Sequence, residues 1–407
     1  MNVALVHDDL IQEGGAERVF QALVELFPRA GVFTSMAVGD WMRRMVEEKS
    51  SHSPAPGAAA KEAPGASPAV VCESAGLQTS FMQRFPFKEK LYRAYFPFYP
   101  LAFESFDLSG YDLIVSSSSR FAHSVITRPE ASHICYMHSP GREFWEPEVY
   151  FQEQPRLQKV LTPFLSWLRC WDFAASHRVD YFIANSKSTK NRIAKYYGRE
   201  AKVIHPFVEL DRFSLGWHGS GEVKKQWQHF CTKREIKECS PGFFLIVSRL
   251  ISWKRIDIAV KACNKLKQPL IIVGEGPDKK RLEKMAGPTV HVLGRLSDED
   301  VVNCFQACKA LIFPQREDFG ITPLEVMACG KPVLAYKSGG VLETVLPGKT
   351  GEFFYPQTVR VLADAISHFD ARRFKPQVCR KQASIFSRKR FEDRFSDFVV
   401  RVTRSQK

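Results

Sequence analysis

Short, almost uninterrupted apolar runs recur along this chain with helix-patterned stretches between them, and that alternation restricts it to one class of architecture. Phe243–Ser248, Leu270–Val273, Val290–Leu293, Ala310–Phe313 and Pro332–Ala335 read as buried strands. Hydrophobicity that is continuous rather than alternating implies burial on both faces, as in parallel strands covered by crossover helices. The first half has the same rhythm, with strands expected at Val3–His7, Leu113–Ser116, His133–Met137, Tyr181–Ala184 and Ala201–Ile204. Helices are expected there at Ala16–Leu26, Leu157–Ser176 and Lys187–Tyr197. At 407 residues the chain is long enough for two cores. The pattern predicts two Rossmann-like, doubly wound α/β domains in tandem, facing a central cleft, with ligand loops at the carboxyl ends of the strands.

The expected division is a first domain over 1–215, a linker over 216–240, a second domain over 241–384 and a closing helix over 385–407. Trp217 to Ser240 is polar and charged without clear periodicity, which is why the linker is placed there. Glu47 to Ser67 is rich in Ser, Ala, Pro and Gly and cannot bury enough apolar surface to order itself, so a disordered insertion is expected over about 47–70. The closing segment is amphipathic through Ile385, Phe386, Phe391, Phe395, Phe398 and Val399, and is expected to cross back to the first domain.

The formal net charge of +14 calls for a partner or a reason. Basic residues crowd the chain after Ala371, and others interleave with aromatics from Phe81 to Phe96. No nucleic-acid-binding signature accompanies them, so nucleic acid is not an expected partner. For the aromatic stretch, two readings stay open: contact with an anionic membrane surface, or a buried aromatic helix with a solvated basic edge. No run of eighteen apolar residues occurs, and the chain starts directly in a strand-like segment, so neither a membrane span nor a secretory signal is expected. Ten scattered cysteines lack disulfide-framework spacing and suit a reducing cytosol. Cys304 and Cys308, one helical turn apart, have no matching pair and read as packing rather than as a metal site.

The densest chemistry lies around Glu317 and Glu325. Pro314 ends a strand, Thr322-Pro323 is expected to cap and open a helix, and Gly330 to stop it. Glu317 then sits on a strand-exit loop and Glu325 in the first turn of the next helix, with the backbone amides of Phe319, Gly320 and Ile321 between them. Carboxylates accept from sugar hydroxyls and amides donate to oxygens, so a polyhydroxylated anion fits; a solvated acidic loop fits equally well. Three other strand-exit loops carry Gly14-Gly15, Arg249 with Lys254, and His138. Paired glycines at a helix N-terminus admit a diphosphate, and the two cations meet phosphate as fork and point charge. Each taken alone has an ordinary structural explanation. No G-x-G-x-x-G follows the first strand, which argues against a dinucleotide-dependent dehydrogenase.

Taken together, Gly14-Gly-Ala-Glu-Arg, Val247-Ser-Arg249 with Lys254-Arg-Ile-Asp, Val273-Gly-Glu-Gly-Pro, Leu293-Gly-Arg-Leu-Ser, Glu317 with Glu325, and Ser338-Gly-Gly-Val-Leu-Glu-Thr-Val resemble the family 4 glycosyltransferases of the GT-B fold. Within that family the chain is most similar to the WbaZ-type mannosyltransferases, through Asp107-Leu-Ser-Gly-Tyr-Asp112 and Ile134-Cys-Tyr-Met-His-Ser-Pro140. The resemblance implies a retaining hexosyltransferase that uses a nucleotide-diphosphate sugar, GDP-mannose above all. The acceptor would be a glycan or lipid-linked molecule in cell-surface polysaccharide synthesis. No cofactor or metal is implied, and the expected place is the cytoplasm or the inner face of the cytoplasmic membrane.

The resemblance also assigns roles. Glu317, His138, Arg249 and Lys254 would be catalytic, with Glu317 on the donor sugar and Glu325 on the ribose. Gly14, Gly15, Arg249 and Lys254 would take the diphosphate, the Phe319–Ile321 amides would assist at the sugar, and Gly274, Arg295 and Leu296 would flank the base. Ser139 and Gly141 depart from the residues usual in relatives. Alternatives are a UDP- or ADP-sugar transferase, a nucleotide-sugar epimerase of the same fold, and a non-catalytic nucleotide-sugar-binding subunit.

Overall fold

A computed structural model describes residues 1–12, 14–39, 70–71, 76–151, 154–215, 227–228, 230–232 and 242–405. The chain divides into two compact units, Met1–Ile204 with Phe395–Lys407, and His205–Arg394. Residues 205–215, placed with the first domain on sequence, therefore lie in the second unit. The expected insertion over about 47–70 falls almost entirely outside the described residues. Most of the expected linker does as well, but Trp227, Phe230 and Cys231 are buried in the core of the second unit. The Trp227 ring stacks on Phe243 at 4.8 Å, so this part of the segment packs instead of merely connecting.

In the first unit the sheet order is β3-β4-β2-β1-β5-β6-β7-β8. Its strands are β1 Val3–His7, β2 Gly31–Thr34, β3 Val70–Val71, β4 Leu77–Thr79, β5 Leu113–Ser118, β6 Ser132–Met137, β7 Tyr181–Ala184 and β8 Ala201–Val203. All neighbours pair in parallel except β3 with β4. The chain leaves β1 for β2 on one side and returns through β5 on the other, so the strand order reverses between β1 and β5. Helix α1, Gly15–Leu26, follows β1; α2, Pro155–Ser176, and α3, Lys187–Tyr197, follow β6 and β7. Strands β2 and β4 were not anticipated: Gly31 and Thr34 in the first and Gln78 and Thr79 in the second break the apolar run that marks the other strands.

The second unit holds an all-parallel sheet of order β11-β10-β9-β12-β13-β14. The strands are β9 Phe244–Val247, β10 Leu270–Val273, β11 Val290–Gly294, β12 Ala310–Phe313, β13 Val333–Tyr336 and β14 Gly351–Phe354. Burial of β10 and β12 at every position accounts for their unbroken apolar sequences. Helices α4, Ile256–Leu266, and α5, Val359–His368, help to cover one face, packing with alternate strand residues such as Phe244, Ile246, Ile272 and Ile312. The opposite face packs Leu245, Leu311 and Phe313 against α6, Thr322–Ala328, and α7, Pro376–Ser384. The terminal helix α8, Arg388–Ser405, is amphipathic as expected. Its later residues join the first unit, where Phe395 meets Phe27 and Tyr136 edge-on or tilted.

Among the described cysteines, Cys231 is disulfide-bonded, a departure from the fully reduced set expected on sequence. Cys304 and Cys308 are buried and free, and the Cys308 thiol donates to the Phe305 carbonyl, which is a packing role. Among the described residues, no helix is long and apolar enough to cross a membrane.

Candidate active site

Strand order alone makes one crevice in the second unit. The chain runs from β9 to β10 and β11, then restarts at β12 on the other side of β9. Loops leaving β9 and β12 therefore diverge at their carboxyl ends, the place where open α/β sheets bind ligands. The β9 loop carries Arg249 and Lys254; the β12 loop carries Glu317 and leads into α6 with Glu325.

These loops meet. Lys254 Nζ lies 2.6 Å from Glu317 Oε1, with the lysine side chain only 9% exposed and the carboxylate 23%. Gln315 Nε2 donates to the same oxygen at 3.3 Å. The ammonium also lies 5.5 Å from the centre of the Trp253 ring. Lys254 is thus committed in part to a carboxylate, which sequence reasoning, having assigned it to phosphate, did not anticipate. Arg249 is exposed at the loop edge.

Glycines bring the remaining loops close. Gly339, at φ +81°, sits against Glu317, and a Cβ there would lie 2.2 Å from the Glu317 carbonyl oxygen. Gly340 N–H donates to that oxygen at 2.9 Å. On the other side of the crevice, a Cβ on Gly274, at φ +143°, would fall 1.9 Å from the Ser248 carbonyl oxygen. Gly274 N–H donates to the Gly294 carbonyl, which joins the loops after β10 and β11. The Arg295 amide then donates to Glu275 at 3.3 Å. Gly274, Arg295, Arg249, Lys254 and Glu317 thus all lie on strand-exit loops of one sheet.

At α6 the structure corrects one detail. Ile321 occupies the cap position and Thr322 is the first helical residue, so no side chain caps this helix. The Phe319 ring is 3% exposed and sits beside His205 and Phe386 at 5.6 and 5.8 Å, so the side chain belongs to the core and the expectation for Phe319 concerns its backbone amide alone. Leu296 is also mostly buried in that core. Only the backbone remains available at this turn, and no hydrogen bond among the described residues takes up the Gly320 or Ile321 amide. Glu325 is 9% exposed in the first helical turn, where the helix dipole favours a negative charge.

His205 and Glu343 went unnoticed in the sequence. They pair at 2.8 Å between Nε2 and Oε2, behind Phe319. Nothing in a lone histidine and a glutamate on distant segments signals that pairing. Next to them a cavity of roughly 180 Å³ is lined by His205, Phe386, Arg390 and Arg394, among others.

Gly14, Gly15 and His138 belong to the first unit. Gly14 precedes α1 in extended conformation, and its carbonyl accepts from Arg18 N–H. His138 follows β6, and its Nε2 lies 2.9 Å from Ser117 Oγ. Beside it Asp8 accepts from four backbone amides, those of Ser119, Arg120, Phe121 and Ala122. Burial opposes the charge on Asp8, but Arg120, His7 and these amides outweigh it and hold its pKa below the ordinary carboxylate value. Burial pushes the His7 pKa down to about 4, so that ring is neutral at physiological pH. No local pattern signals this Asp8 anchor, because its amide partners lie on a distant segment of the chain.

Among the described residues, no group of three or more His, Cys, Asp or Glu side chains is placed to hold a metal ion.

Two family models match: "Glycosyltransferase Family 4" over residues 13–212 and "Glycosyl transferases group 1" over residues 232–384. The chain is 31% identical to the D-rhamnosyltransferase WbpZ of Pseudomonas aeruginosa, over 43% of this chain and 46% of that one. It is also 31% identical to a GDP-mannose-dependent alpha-(1-6)-phosphatidylinositol monomannoside mannosyltransferase of Mycolicibacterium smegmatis, over 41% of this chain and 46% of that one. The chain spans less than half the length of these relatives. Among solved structures, it resembles Anabaena Alr3699/HepE in complex with UDP-glucose, with a TM-score of 0.67, 18% identity and coverage of 98% and 100%. It resembles sucrose-phosphate synthase of Thermosynechococcus elongatus with a TM-score of 0.69, 19% identity and full coverage of both chains. Both identities are low enough that these likenesses speak for the fold alone. With an α/β sheet in each unit and family models over both halves, the chain belongs to the family 4 glycosyltransferases of the GT-B fold.

Proposed function

We propose that this chain transfers a hexose, mannose from GDP-mannose, to a glycan or lipid-linked acceptor in cell-surface polysaccharide synthesis, with retention of configuration. The observation that carries the reading is the Lys254–Glu317 pair at the strand-order reversal of the second unit, beside the unengaged Gly320 and Ile321 amides. A carboxylate held by a lysine on one oxygen is oriented for sugar hydroxyls. Glu325 is then the acceptor for ribose hydroxyls. The mannosyl donor is favoured by the mycobacterial relative, whose name specifies GDP-mannose. A D-rhamnosyl donor is the second reading, favoured by the Pseudomonas relative.

Bond cleavage develops negative charge on the leaving diphosphate and oxocarbenium character on the sugar. Arg249 opposes the first, with Lys254 sharing its charge between Glu317 and the diphosphate. Preorganised donors of this kind are worth about 3–4 kcal/mol each in the barrier. In the first unit, Gly14 and Gly15 are assigned to the diphosphate and His138 to the sugar. Retention is assigned to front-face attack, with the leaving phosphate taking the acceptor's proton.

The acceptor is proposed to be reached from a membrane surface. Phe87, Leu91, Phe98 and Leu101 are exposed large apolar side chains on one stretch, interspersed with Lys88, Lys90 and Arg93.

A panel of GDP-, UDP- and ADP-sugars, incubated with and without lipid-linked acceptors, tests the reading. Acceptor-dependent release of GDP supports it. Interconversion of a donor without acceptor would instead indicate an epimerase, and binding without turnover a non-catalytic subunit. A true donor at a hundred times its dissociation constant stabilises the fold by about 2.7 kcal/mol, visible as a thermal shift.

A further inference from the structure

Two segments of the second unit frame Glu317, and a side chain from a third segment holds both. The loop after β12 runs through Glu317, Asp318 and Phe319; the segment after β13 runs through Gly339 and Gly340 into the short helix Val341–Thr344. Their backbones lie against one another. Gly339 bridges Glu317 as a parallel neighbour, and Gly340 N–H donates to the Glu317 carbonyl at 2.9 Å. A Cβ on Gly340 would fall 2.2 Å from the Asp318 carbonyl oxygen and 2.4 Å from Phe319 Cα, so no side chain fits between the two segments.

His205 closes the far side of this frame. Its Nε2 lies 2.8 Å from Glu343 Oε2 in the short helix, and its ring is tilted against Phe319 with centroids 5.6 Å apart. The Glu343 carboxylate accepts, so Nε2 carries a hydrogen and donates it. One imidazole therefore grips the segment after β13 by a hydrogen bond and the loop after β12 by ring packing. Phe386 completes the packing, edge-on to His205 at 5.4 Å and 5.8 Å from Phe319.

His205 is itself anchored. Pro206 restricts the backbone of the residue before it to extended forms. Two residues on, Val208 N–H donates to the Phe386 carbonyl at 2.9 Å. The histidine side chain is 23% exposed and its glutamate partner 11%, so water competes little for their bond.

These contacts form a circuit. It runs from Glu317 to Phe319 along the chain, from Phe319 to His205 by packing, and from His205 to Glu343 by hydrogen bond. The return path is fixed because Glu343 N–H donates to the Gly340 carbonyl at 2.9 Å, and Gly340 N–H donates to Glu317. A closed circuit leaves the Glu317 backbone one setting where a single contact would allow several. The carboxylate is held separately, by Lys254.

We propose that His205 and Glu343 are positioning residues for Glu317, holding its loop at the setting in which the carboxylate meets the hydroxyls of the donor sugar. The proposal rests on the reading of Glu317 given under the proposed function; the circuit itself does not. Neither residue belongs to the contacts assigned to the nucleotide, which are Arg249, Lys254 and Glu325. Their loss should therefore cost transfer and spare nucleotide binding.

Two measurements on the full chain test it. Hydrogen exchange without ligand reads the circuit alone. In His205→Ala the Gly340 and Glu343 amides should exchange faster by about tenfold or more, with the β10 amides unchanged. His205→Gln, whose amide nitrogen can donate from nearly the same place as Nε2, should restore most of the protection. Native exchange rates in His205→Ala overturn the circuit. An equal rise at β10 means a loss of overall stability only, and overturns it too.

The second measurement sets GDP affinity, by calorimetry, beside turnover of GDP-mannose with the lipid-linked acceptors. In His205→Ala, GDP affinity should stay within about twofold while kcat falls on the order of tenfold to a hundredfold, and His205→Gln should recover most of that loss. Unchanged kcat refutes the positioning role, and so does a loss of GDP affinity as large as the loss of kcat. Absence of both GDP binding and turnover in the native protein counts against the GDP-mannose reading, and the exchange rates still decide the circuit.

Discussion

Lys254 Nζ and Glu317 Oε1 stand 2.6 Å apart, joining the loop after β9 to the loop after β12 across the point where the strand order reverses. The lysine is nearly buried, so its charge has little water to fall back on. Replacing it with alanine leaves the carboxylate without this partner. Lys254→Ala is expected to destabilise the second unit by about 1–3 kcal/mol and to abolish turnover. The pair should show coupling when Lys254→Ala and Glu317→Ala are combined in a double-mutant cycle; additive losses would mean the two do not act together.

Arg249 differs, because it lies exposed at the crevice edge. Arg249→Ala should leave the melting temperature within experimental error and raise the transfer barrier by about 3–4 kcal/mol. Near-normal rates in this variant would remove Arg249 from the diphosphate.

Gly339 and Gly348 provide a matched pair, both with positive φ, at +81° and +72°. An alanine methyl at Gly339 strikes the Glu317 carbonyl oxygen, whereas nothing lies within 4 Å of one at Gly348. Both substitutions incur backbone strain of about 1–2 kcal/mol, but only Gly339→Ala must also displace Glu317. Turnover should fall sharply in Gly339→Ala and little in Gly348→Ala, with denaturant midpoints showing the larger loss for Gly339→Ala.

Acid should weaken the first unit before its carboxylates titrate. Burial lowers the His7 pKa to about 4 and the His133 pKa to about 3, against an ordinary 6.5. Between these values the unfolded chain binds protons that the folded one does not, so stability rises with pH. The contribution is full above about 6.5 and declines as pH falls towards 4, by roughly 1.4 kcal/mol per pH unit for each ring. Urea midpoints should therefore drop between pH 7 and 5, and His133→Gln should flatten that dependence.

Reversing Lys88, Lys90 and Arg93 to glutamate should abolish co-sedimentation with anionic vesicles while sparing donor binding. Unaltered sedimentation would discard the membrane contact proposed for the aromatic stretch.

Much of this architecture was legible in local sequence. β1, β7, β10 and β12 lie where unbroken apolar runs placed them, because a strand buried on both faces must be apolar throughout. The strand-exit positions of Glu317, Arg249, Lys254 and His138 followed from the same runs, whereas the close backbone approaches at Gly274, Gly339 and Gly340 appear only in the structure. Local signals were weaker at β2, β4 and β14, whose sequences are interrupted by Gly31 and Thr34, by Gln78, and by Gly351 and Glu352. They also misjudged Trp227 and Phe230, whose packing partners such as Phe243 lie across an aperiodic stretch.

Partnership was the part that sequence left open. Side-chain type says that a lysine and a glutamate can pair, but only the order of strands decides that these two loops emerge side by side. The same holds for His205 and Glu343, brought together from segments that sequence separates widely, and for Asp8 with its four amides. Alternation of hydrophobic strands and helices determined which layers this protein has. Tertiary structure decided which polar atoms those layers bring within hydrogen-bonding distance, because that depends on sheet order and register, and neither is encoded within any single segment.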